Sequence, residues 1–162
     1  VPCLAQLIDV YEDYGGSVLG VQQVPQSQVS RYGIIAPHKV KPNVWQAVDL
    51  VEKPEAEKAP SRLAVLGRYV LTPAIFDILE HTKPGAGEEI QLTDAICELA
   101  RKEKVYAYRF EGRRYDIGDK EGFLEATVEQ ALKRPEIRDD FMAYLVQRIG
   151  PLLRQKMEED AE

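Results

Sequence analysis

A glutamate and a lysine stand side by side at Glu52-Lys53, where an apolar segment is stopped by Pro54. Residues 47–51 are rich in β-branched side chains and partly alternate, which predicts a strand. Neighbouring side chains on a strand point to opposite faces, so we expect the two charges to reach different parts of one ligand rather than to form a local ion pair. A carboxylate accepts hydrogen bonds from hydroxyls and an ammonium attracts phosphate, so the pair suits a sugar phosphate. The alternative is two solvated charges at an exposed strand end.

A second candidate is Asp116, which lies in a short stretch flanked by turn residues and close to Gly118. A carboxylate at a place where glycine lets a ligand approach is suited to Mg²⁺, which is usually held by one or two carboxylates and substrate phosphates. A partner carboxylate would have to come from elsewhere in the protein. The alternative is a helix cap for the segment that starts at Glu121, a role that Asp119 fits better.

The other polar candidates carry weaker signals. Arg113 and Arg114 could contact phosphates or could be exposed residues of a hairpin. His38 and His81 have no cysteine or histidine partner at the spacing of a metal site, so we expect them at the surface or at a helix end. No serine lies in a nucleophile elbow and neither cysteine has a nearby histidine, so covalent catalysis is not indicated.

Five segments have the composition and alternation of strands, and they must position these residues. Gly33 lies in the second of them, where a missing side chain would permit a close approach. Tyr32 and Tyr69 could line a ligand, although tyrosines on strands usually serve in packing. Pro37 and Pro42 are expected to bracket a turn. The five predicted strands are 17–24, 31–35, 44–53, 63–71 and 105–110.

Helical periodicity and capping residues predict the helices. The first helix ends at Gly15, a second begins at Thr72, and a third is capped by Thr93 or Asp94. Helices then gather at the end of the chain, in the segments 121–132, 139–148 and 151–157. Strands that alternate with helices, followed by helices alone, indicate an α/β or α+β fold.

A phosphate-binding loop of the usual kind is missing. Nucleotide-binding α/β proteins cradle phosphate with a glycine-rich loop between a strand and a helix. The segment 26–30 is a polar loop, and the glycine-rich loop 83–89 follows no strand. Its Gly85 and Gly87 precede Glu88-Glu89, whose charge is wrong for cradling phosphate.

Composition limits the class of protein. A chain of 162 residues with 44% apolar and 30% charged residues suits one soluble globular domain. A net charge of −6 without a basic block argues against a nucleic-acid binder. Cys3 and Cys97 are too few for a disulfide framework and are expected to be reduced, buried thiols in the cytoplasm. No apolar run approaches the roughly 20 residues of a membrane helix, and no signal peptide is visible.

Five motifs in a fixed order are more specific than any one of these residues. Over roughly residues 1 to 145, the ordered set resembles the C-terminal portion of bacterial UTP–glucose-1-phosphate uridylyltransferases, also called UDP-glucose pyrophosphorylases. The segment from Glu89 to Ile96 and the triplet Glu52-Lys53-Pro54 distinguish this family best from other folds. The five motifs are RYGI at 31–34, VEKP at 51–54, GRYVL at 67–71, GEEIQLTDAI at 87–96 and RYDIGDK at 114–120.

The resemblance implies a Rossmann-like nucleotidyltransferase fold with a mixed sheet, helices gathered at the C-terminus, and Mg²⁺-dependent formation of UDP-glucose and pyrophosphate from UTP and glucose 1-phosphate. By this resemblance, Lys53 binds the sugar phosphate and Glu52 holds glucose hydroxyls. Gly33 contacts the sugar through its backbone, and Asp116 binds magnesium. Tyr69 is a weaker match near the sugar pocket.

The resemblance also implies what the chain lacks. The family's N-terminal half carries the nucleotide loop, the base-recognition residues and the first magnesium aspartate, and it would end just before Val1. We therefore expect little or no activity from the chain alone. Base choice stays open, so a related transferase that uses CTP or dTTP is an alternative.

The chain is expected to divide into a sugar-phosphate-binding part, 1–135, and a C-terminal helical extension, 136–162. A stripe formed by Leu145, Ile149, Leu152 and Leu153 would join a second copy in a homo-oligomer or pack on its own domain. A non-catalytic interaction domain is the alternative from another functional class.

Overall fold

The computed structural model describes residues 1–85 and 88–160. The chain forms two compact units, Val1–Gly112 and Arg113–Glu162. Gly87, which belongs to the predicted glycine-rich loop, lies outside the described residues. The predicted division after residue 135 concerns the roles of the two parts, and it stays a prediction.

In its described residues, the first unit contains three helices and five strands, together with a 3₁₀ helix where the sequence predicts a polar loop. In chain order they are α1 (Cys3–Tyr14), β1 (Val18–Gln23), the 3₁₀ helix (Gln26–Arg31), β2 (Gly33–Lys41), β3 (Val44–Glu52), β4 (Leu63–Val70), α2 (Ala74–Leu79), α3 (Leu92–Lys102) and β5 (Tyr106–Arg109). The predicted end of α1 is confirmed. Gly15 has a left-handed φ of 68° and its N–H donates to the carbonyl of Tyr11.

The predicted mixed sheet is confirmed. The strands are hydrogen-bonded in the order β1–β4–β2–β3–β5, and β5 pairs back with β1, so the sheet closes on itself. The β1–β5 pair is parallel and the other pairs are antiparallel. A parallel pair needs a long crossover connection, and here β2, β3, β4, α2 and α3 all lie between β1 and β5 in the chain.

The turn predicted between Pro37 and Pro42 lies later in the chain, at Pro42 and Asn43, because β2 continues through Pro37 to Lys41. Proline lacks an N–H group, and Pro37 lies at an irregularity in the pairing of β2 with β3. Ala36 faces Asp49 while Pro37 faces Ala47, so one residue of β3 is left over as a bulge. Bulges are where a strand tolerates proline and where its direction changes. The bulge therefore bends β3 shortly before its end.

Two predicted helix caps are wrong. Thr72 precedes α2, but its hydroxyl donates to the Glu103 carboxylate instead of capping the helix. Neither Thr93 nor Asp94 caps α3, because the N-cap residue is Gln91 and both lie within the first turn. The two threonine hydroxyls are used for contacts between elements that are distant in sequence.

The second unit contains α4 (Lys120–Lys133) and α5 (Pro135–Glu159). Asp119 caps α4 as predicted, since its carboxylate accepts from the N–H of Gly122 at 3.2 Å. The two predicted segments 139–148 and 151–157 are one helix, with Pro151 inside it. Within the described part of the chain, no helix is both long and apolar enough to cross a membrane.

The main core lies between the sheet and the apolar face of α2 and α3. Helix α3 buries Ala95, Ile96 and Leu99, which lie on one side of the helix at the spacing of an amphipathic stripe. Burial of this stripe holds α3 against β3. The buried members of the cluster are Leu19, Val21, Ile35, Ala47, Leu50, Leu63, Ile75, Ile78, Ala95, Ile96, Leu99, Val105 and Ala107.

A buried polar cluster joins the ends of three elements. Ser17 is fully buried before β1; its Oγ accepts from the N–H of Thr72 at 3.0 Å and donates to Glu103 Oε1 at 3.1 Å. The Thr72 hydroxyl donates to the same carboxylate oxygen at 2.7 Å. The cluster fastens the start of α2 and the end of α3 to the start of β1.

Ser17→Ala should lower the free energy of unfolding by about 1–3 kcal/mol, because it removes the acceptor of a buried N–H group and one donor to a carboxylate. Urea denaturation followed by the fluorescence of Trp45, the only tryptophan, measures this loss. Ser30→Ala at an exposed position is the control and should change the value little. Equal stabilities of the two variants would show that the hydrogen bonds of Ser17 contribute nothing to stability.

Candidate functional site

The site starts at the strand pair β2–β3, which places Gly33 directly opposite Glu52. A Cβ atom at Gly33 would lie 3.0 Å from Glu52 Oε2 and 3.3 Å from Thr93 Oγ1. Both distances are shorter than ordinary van der Waals contacts, so a side chain here would displace the carboxylate or the hydroxyl. The absence of a side chain lets β2, the end of β3 and the start of α3 meet.

The Glu52 carboxylate is held on one side and open on the other. Its Oε2 atom accepts a hydrogen bond from the Thr93 hydroxyl at 2.7 Å. Hydroxyl–carboxylate bonds of this length are among the stronger hydrogen bonds in proteins. The other oxygen, Oε1, lies 3.8 Å from Nζ of Lys53, and the side chain of Glu52 remains 21% exposed. The carboxylate can therefore accept further hydrogen bonds from a ligand.

Lys53 departs from the predicted strand geometry. Its backbone has a φ of 45°, and its N–H donates to the carbonyl of Tyr32 at 3.0 Å. Strand alternation therefore ends at Glu52, and the expectation that Glu52 and Lys53 form no local ion pair is wrong. The pair is loose and the Lys53 side chain is 63% exposed, so it contributes little to stability and leaves the ammonium accessible to an anion.

Tyr69 lies on β4, within electrostatic reach of Glu52. Burial of the phenol raises the pKa of Tyr69, and the Glu52 carboxylate raises it further. A hydrogen bond with the Gly67 backbone acts in the opposite direction and is the smallest of the three effects. The phenol is therefore held in its neutral form, which can donate a hydrogen bond to a ligand.

Helix α3 contacts β3 through two side chains that are four residues apart and share one helix face. Thr93 donates to Glu52, and the thiol of Cys97 donates to Asp49 Oδ1 at 2.9 Å. Burial raises the pKa of the Cys97 thiol, and the bond to Asp49 raises it further. Sequence reasoning treated Thr93 only as a candidate cap. Thr93 is the only residue with a hydroxyl side chain in the motif GEEIQLTDAI at 87–96, and this was the signal in the sequence that could have identified it as a site residue.

The two thiols are less buried than predicted. Cys3 and Cys97 are both free cysteines, and both are partly exposed. Burial is nevertheless the main cause that raises the pKa of each thiol. Both are therefore expected to remain protonated and poorly nucleophilic at neutral pH.

Asp116, the predicted magnesium ligand, lies in the second unit before α4. Its Oδ2 accepts from Arg114 at 2.9 Å, and its Oδ1 accepts from the N–H of Gly118 at 3.3 Å. Asp119 takes the capping role, so α4 does not require Asp116 as its cap. Among residues 1–85 and 88–160, no group of three or more His, Cys, Asp or Glu side chains is arranged to hold a metal ion.

The remaining candidates have local partners. Arg113 forms ion pairs with Glu125, at 2.6 Å, and with Glu129 of α4. His81 lies at the end of α2, where its Nδ1 is 2.9 Å from the carbonyl of Asp77, in agreement with the predicted helix-end role. His38 lies on β2 and is exposed, in agreement with the predicted surface role.

Comparisons with known proteins identify the family of the chain. The family model described as nucleotidyl transferase matches residues 3–132. The chain belongs to the nucleotidyl transferase family. The predicted fold class is therefore confirmed. The chain has the mixed sheet, the helices packed on it and the C-terminal helices expected of a nucleotidyl transferase.

The relatives of this family member are about twice its length. A UTP–glucose-1-phosphate uridylyltransferase of Staphylococcus epidermidis is 53% identical over 146 residues, which are 90% of this chain and 51% of that protein. UTP–glucose-1-phosphate uridylyltransferase 2 of Streptococcus pyogenes is 49% identical over 147 residues, 90% of this chain and 49% of that protein. The chain thus spans about half the length of the curated relatives it matches.

A solved structure extends the similarity to three dimensions. A UDP-glucose pyrophosphorylase complexed with UDP-glucose superposes with a TM-score of 0.77 and is 45% identical. The match covers 82% of this chain and 50% of that one. The resemblance predicted from the five motifs is confirmed, including its restriction to about half of the family's length.

The titration of Tyr69 tests the electrostatic contact in the site. We expect a phenol pKa above the ordinary value of 10.0, and Glu52→Gln should lower it because the nearby negative charge is removed. The pKa should stay above 10.0, since burial is the larger cause. The stability that the neutral phenol contributes is present below about pH 10 and is lost as the pH rises through the folded-state pKa.

NMR of ¹³C-labelled tyrosine measures this pKa, with Tyr69→Phe to assign its resonance among the eight tyrosines. Glu55→Gln, at an exposed residue paired with Lys58, is the charge-matched control and should leave the pKa unchanged. A pKa that is insensitive to Glu52→Gln would place the carboxylate away from the phenol.

Proposed function

We propose that the complete protein forms UDP-glucose and pyrophosphate from UTP and glucose 1-phosphate, and that this chain supplies the part of the site that holds the sugar phosphate. The observation that carries the proposal is the meeting of Gly33, Glu52 and Thr93, with the exposed ammonium of Lys53 beside them. This arrangement combines an oriented acceptor for sugar hydroxyls with a cation for phosphate. The chain's relatives are named uridylyltransferases.

Each group has a role that its surroundings support. Oε1 of Glu52 accepts hydrogen bonds from glucose hydroxyls, because Oε2 is already bonded to Thr93. The missing side chain of Gly33 leaves the Glu52 carboxylate and the Thr93 hydroxyl in place, and the Gly33 backbone is the proposed contact with the sugar. Lys53 attracts the phosphate, and the neutral phenol of Tyr69 donates to an oxygen of the ligand.

The proposed reaction needs positioning more than acid–base chemistry. An oxygen of the sugar phosphate forms a bond to the α-phosphorus of UTP, while the bond between that phosphorus and the oxygen bridging to the β-phosphate breaks and pyrophosphate leaves. The attacking oxygen is already ionised at neutral pH, so no general base is required. Lys53 offsets the repulsion between the two anions and orients the nucleophile.

Mg²⁺ is part of the proposal, with Asp116 as one of its ligands. The Asp116 side chain is 36% exposed and offers carboxylate oxygens, which suit Mg²⁺ when phosphate oxygens and water complete the coordination. Arg114 would have to share or release this carboxylate. When bound, the ion would neutralise charge on the phosphates.

Further parts of the proposal concern the complete protein. A Rossmann-like arrangement is supported by the parallel β1–β5 pair, and a cytoplasmic location by two free thiols. The division into a sugar-phosphate part, 1–135, and a helical extension, 136–162, is proposed as well. Use of CTP or dTTP in place of UTP is the alternative within the same reaction class, and no partnership with nucleic acid or membrane is proposed.

A subunit interface through the C-terminal helices is the second candidate function. In the described residues of α4 and α5 no side chain is buried. Ile149, Leu152 and Leu153 of the predicted stripe are exposed apolar residues. Apolar surface of this extent supports contact with a second copy, either within the enzyme or in a non-catalytic interaction domain.

Lys53→Ala should weaken the affinity of the 162-residue chain for glucose 1-phosphate by about 10- to 100-fold, the loss expected for one bond to a charged group. Glu52→Gln should weaken it too, because a carboxylate accepts more strongly than an amide. Isothermal titration calorimetry measures both. Lys58→Ala, which removes an exposed lysine paired with Glu55, is the control and should bind as the unmodified chain does. Unchanged binding in both site variants would remove the pair from the site.

Asp116→Asn should raise the Mg²⁺ concentration needed for UTP to bind, because a neutral amide is a weaker ligand than a carboxylate. UTP binding is measured against Mg²⁺ concentration, with the N-terminal half of the Staphylococcus epidermidis relative fused to the chain. Asp119→Asn is the matched control, since asparagine can keep the cap of α4 and should leave the magnesium response unchanged. Identical magnesium titrations for Asp116→Asn and the parent would exclude Asp116 as a ligand.

A further inference from the structure

We propose that Thr93 is a positioning residue, whose hydroxyl fixes the orientation of the Glu52 carboxylate and so determines which sugar hydroxyls the site accepts. This inference rests on the proposed function, because it assigns to Glu52 the recognition of sugar hydroxyls. It concerns a residue that acts through Glu52, and Thr93 itself needs no contact with the ligand.

The first support is the hydrogen bond from Thr93 Oγ1 to Glu52 Oε2, which measures 2.7 Å and is partly buried. The Lys53 ammonium lies 3.8 Å from the other oxygen of this carboxylate, on a side chain that is 63% exposed. Gly33, across the strand pair, has no side chain with which to restrain it. The Thr93 hydroxyl is therefore the short, directional contact that selects one orientation of the carboxylate.

The second support is the direction in which the Thr93 hydroxyl bonds. Thr93 lies in the first turn of α3, and a hydroxyl near a helix start commonly bonds to the helix's own free N–H groups. The N-cap residue Gln91 makes no side-chain capping bond, yet the Thr93 hydroxyl is directed to β3. The hydroxyl thus orients the Glu52 carboxylate instead of capping its own helix.

The third support is that α3 has another attachment to β3 on the same face. Cys97 donates to Asp49 at 2.9 Å, and Ile96 and Leu99 are buried in the core below. Docking of the helix on the strand therefore does not depend on Thr93 alone. The two bonds therefore differ in their effects. Loss of the Cys97 bond affects only the docking of α3 on β3, whereas loss of the Thr93 bond also leaves the Glu52 carboxylate free to rotate.

The consequence is selectivity among sugars. With Oε2 occupied, Oε1 is the acceptor presented to the ligand, at a fixed place relative to Gly33 and Lys53. A fixed acceptor favours a sugar that places a hydroxyl opposite it and penalises one that does not. A carboxylate free to rotate would bind more weakly and would discriminate less.

The experiment compares Thr93→Val, which keeps the shape and removes the hydroxyl, with Thr93→Ser, which keeps the hydroxyl. Calorimetry with the 162-residue chain measures the affinity for glucose 1-phosphate, galactose 1-phosphate and 2-deoxyglucose 1-phosphate. We expect Thr93→Val to lose about tenfold in affinity for glucose 1-phosphate, as for one hydrogen bond to a charged group, and to prefer it less over the other two sugars. Thr93→Ser should retain both properties.

Two controls and a double variant identify the route of the effect. Cys97→Ala removes the other bond between α3 and β3, and Thr127→Val removes an exposed helix hydroxyl bonded to the Phe123 carbonyl. Neither should change the selectivity. In a Glu52→Ala background, Thr93→Val should cause no further loss of affinity, because its effect passes through Glu52. Additive losses would overturn the proposal and indicate an independent role for Thr93.

A ligand-free measurement separates this inference from the proposed function. The Tyr69 titration responds to the Glu52 charge, so Thr93→Val, which frees the carboxylate to move, should change the Tyr69 pKa, while Thr93→Ser and Cys97→Ala should not. If Thr93→Val leaves this titration unchanged where Glu52→Gln alters it, the positioning role is wrong. If the parent chain binds no sugar phosphate but the titration shifts as expected, the proposed function fails and Thr93 still orients Glu52.

Discussion

The packing of α3 across the end of β3 is the contact on which the candidate site depends. Burial of Ala95, Ile96 and Leu99 supplies the attraction, but the hydrophobic effect is non-directional and would allow the helix to slide or rotate. The hydroxyl–carboxylate bond between Thr93 and Glu52 adds direction, and Gly33 removes the obstacle to that approach. The interaction that sets the helix on the strand is thus also the one that shapes the site.

Two irregularities of the backbone determine where the side chains of Glu52 and Lys53 point. A bulge beside Pro37 bends the β2–β3 pair, and the left-handed φ of Lys53 ends the strand at Glu52. Both are departures from regular strand geometry, and such departures are common next to functional sites. They allow Glu52 to turn towards α3 while the ammonium of Lys53 stays at the surface.

Local signals predicted the parts of the fold that depend on neighbouring residues. Gly15 ends α1 and Asp119 caps α4, because the conformational freedom of glycine and the short acceptor of aspartate act within a few residues. The ordered motifs identified the family even though each is weak alone. Pro37 predicted a turn wrongly, because a proline looks the same in a turn and at a bulge until its partner strand is known.

The sequence by itself determined the approximate positions of four of the five strands, the end of α1, the start of α4 and the family. Tertiary structure decided which hydroxyl serves which carboxylate: Thr93 bonds to Glu52, 41 residues away, and Thr72 to Glu103, 31 residues away. A threonine before or within a first turn has the same local sequence whether it caps the helix or reaches another element. The choice is made only when hydrophobic packing brings a distant carboxylate within hydrogen-bonding distance.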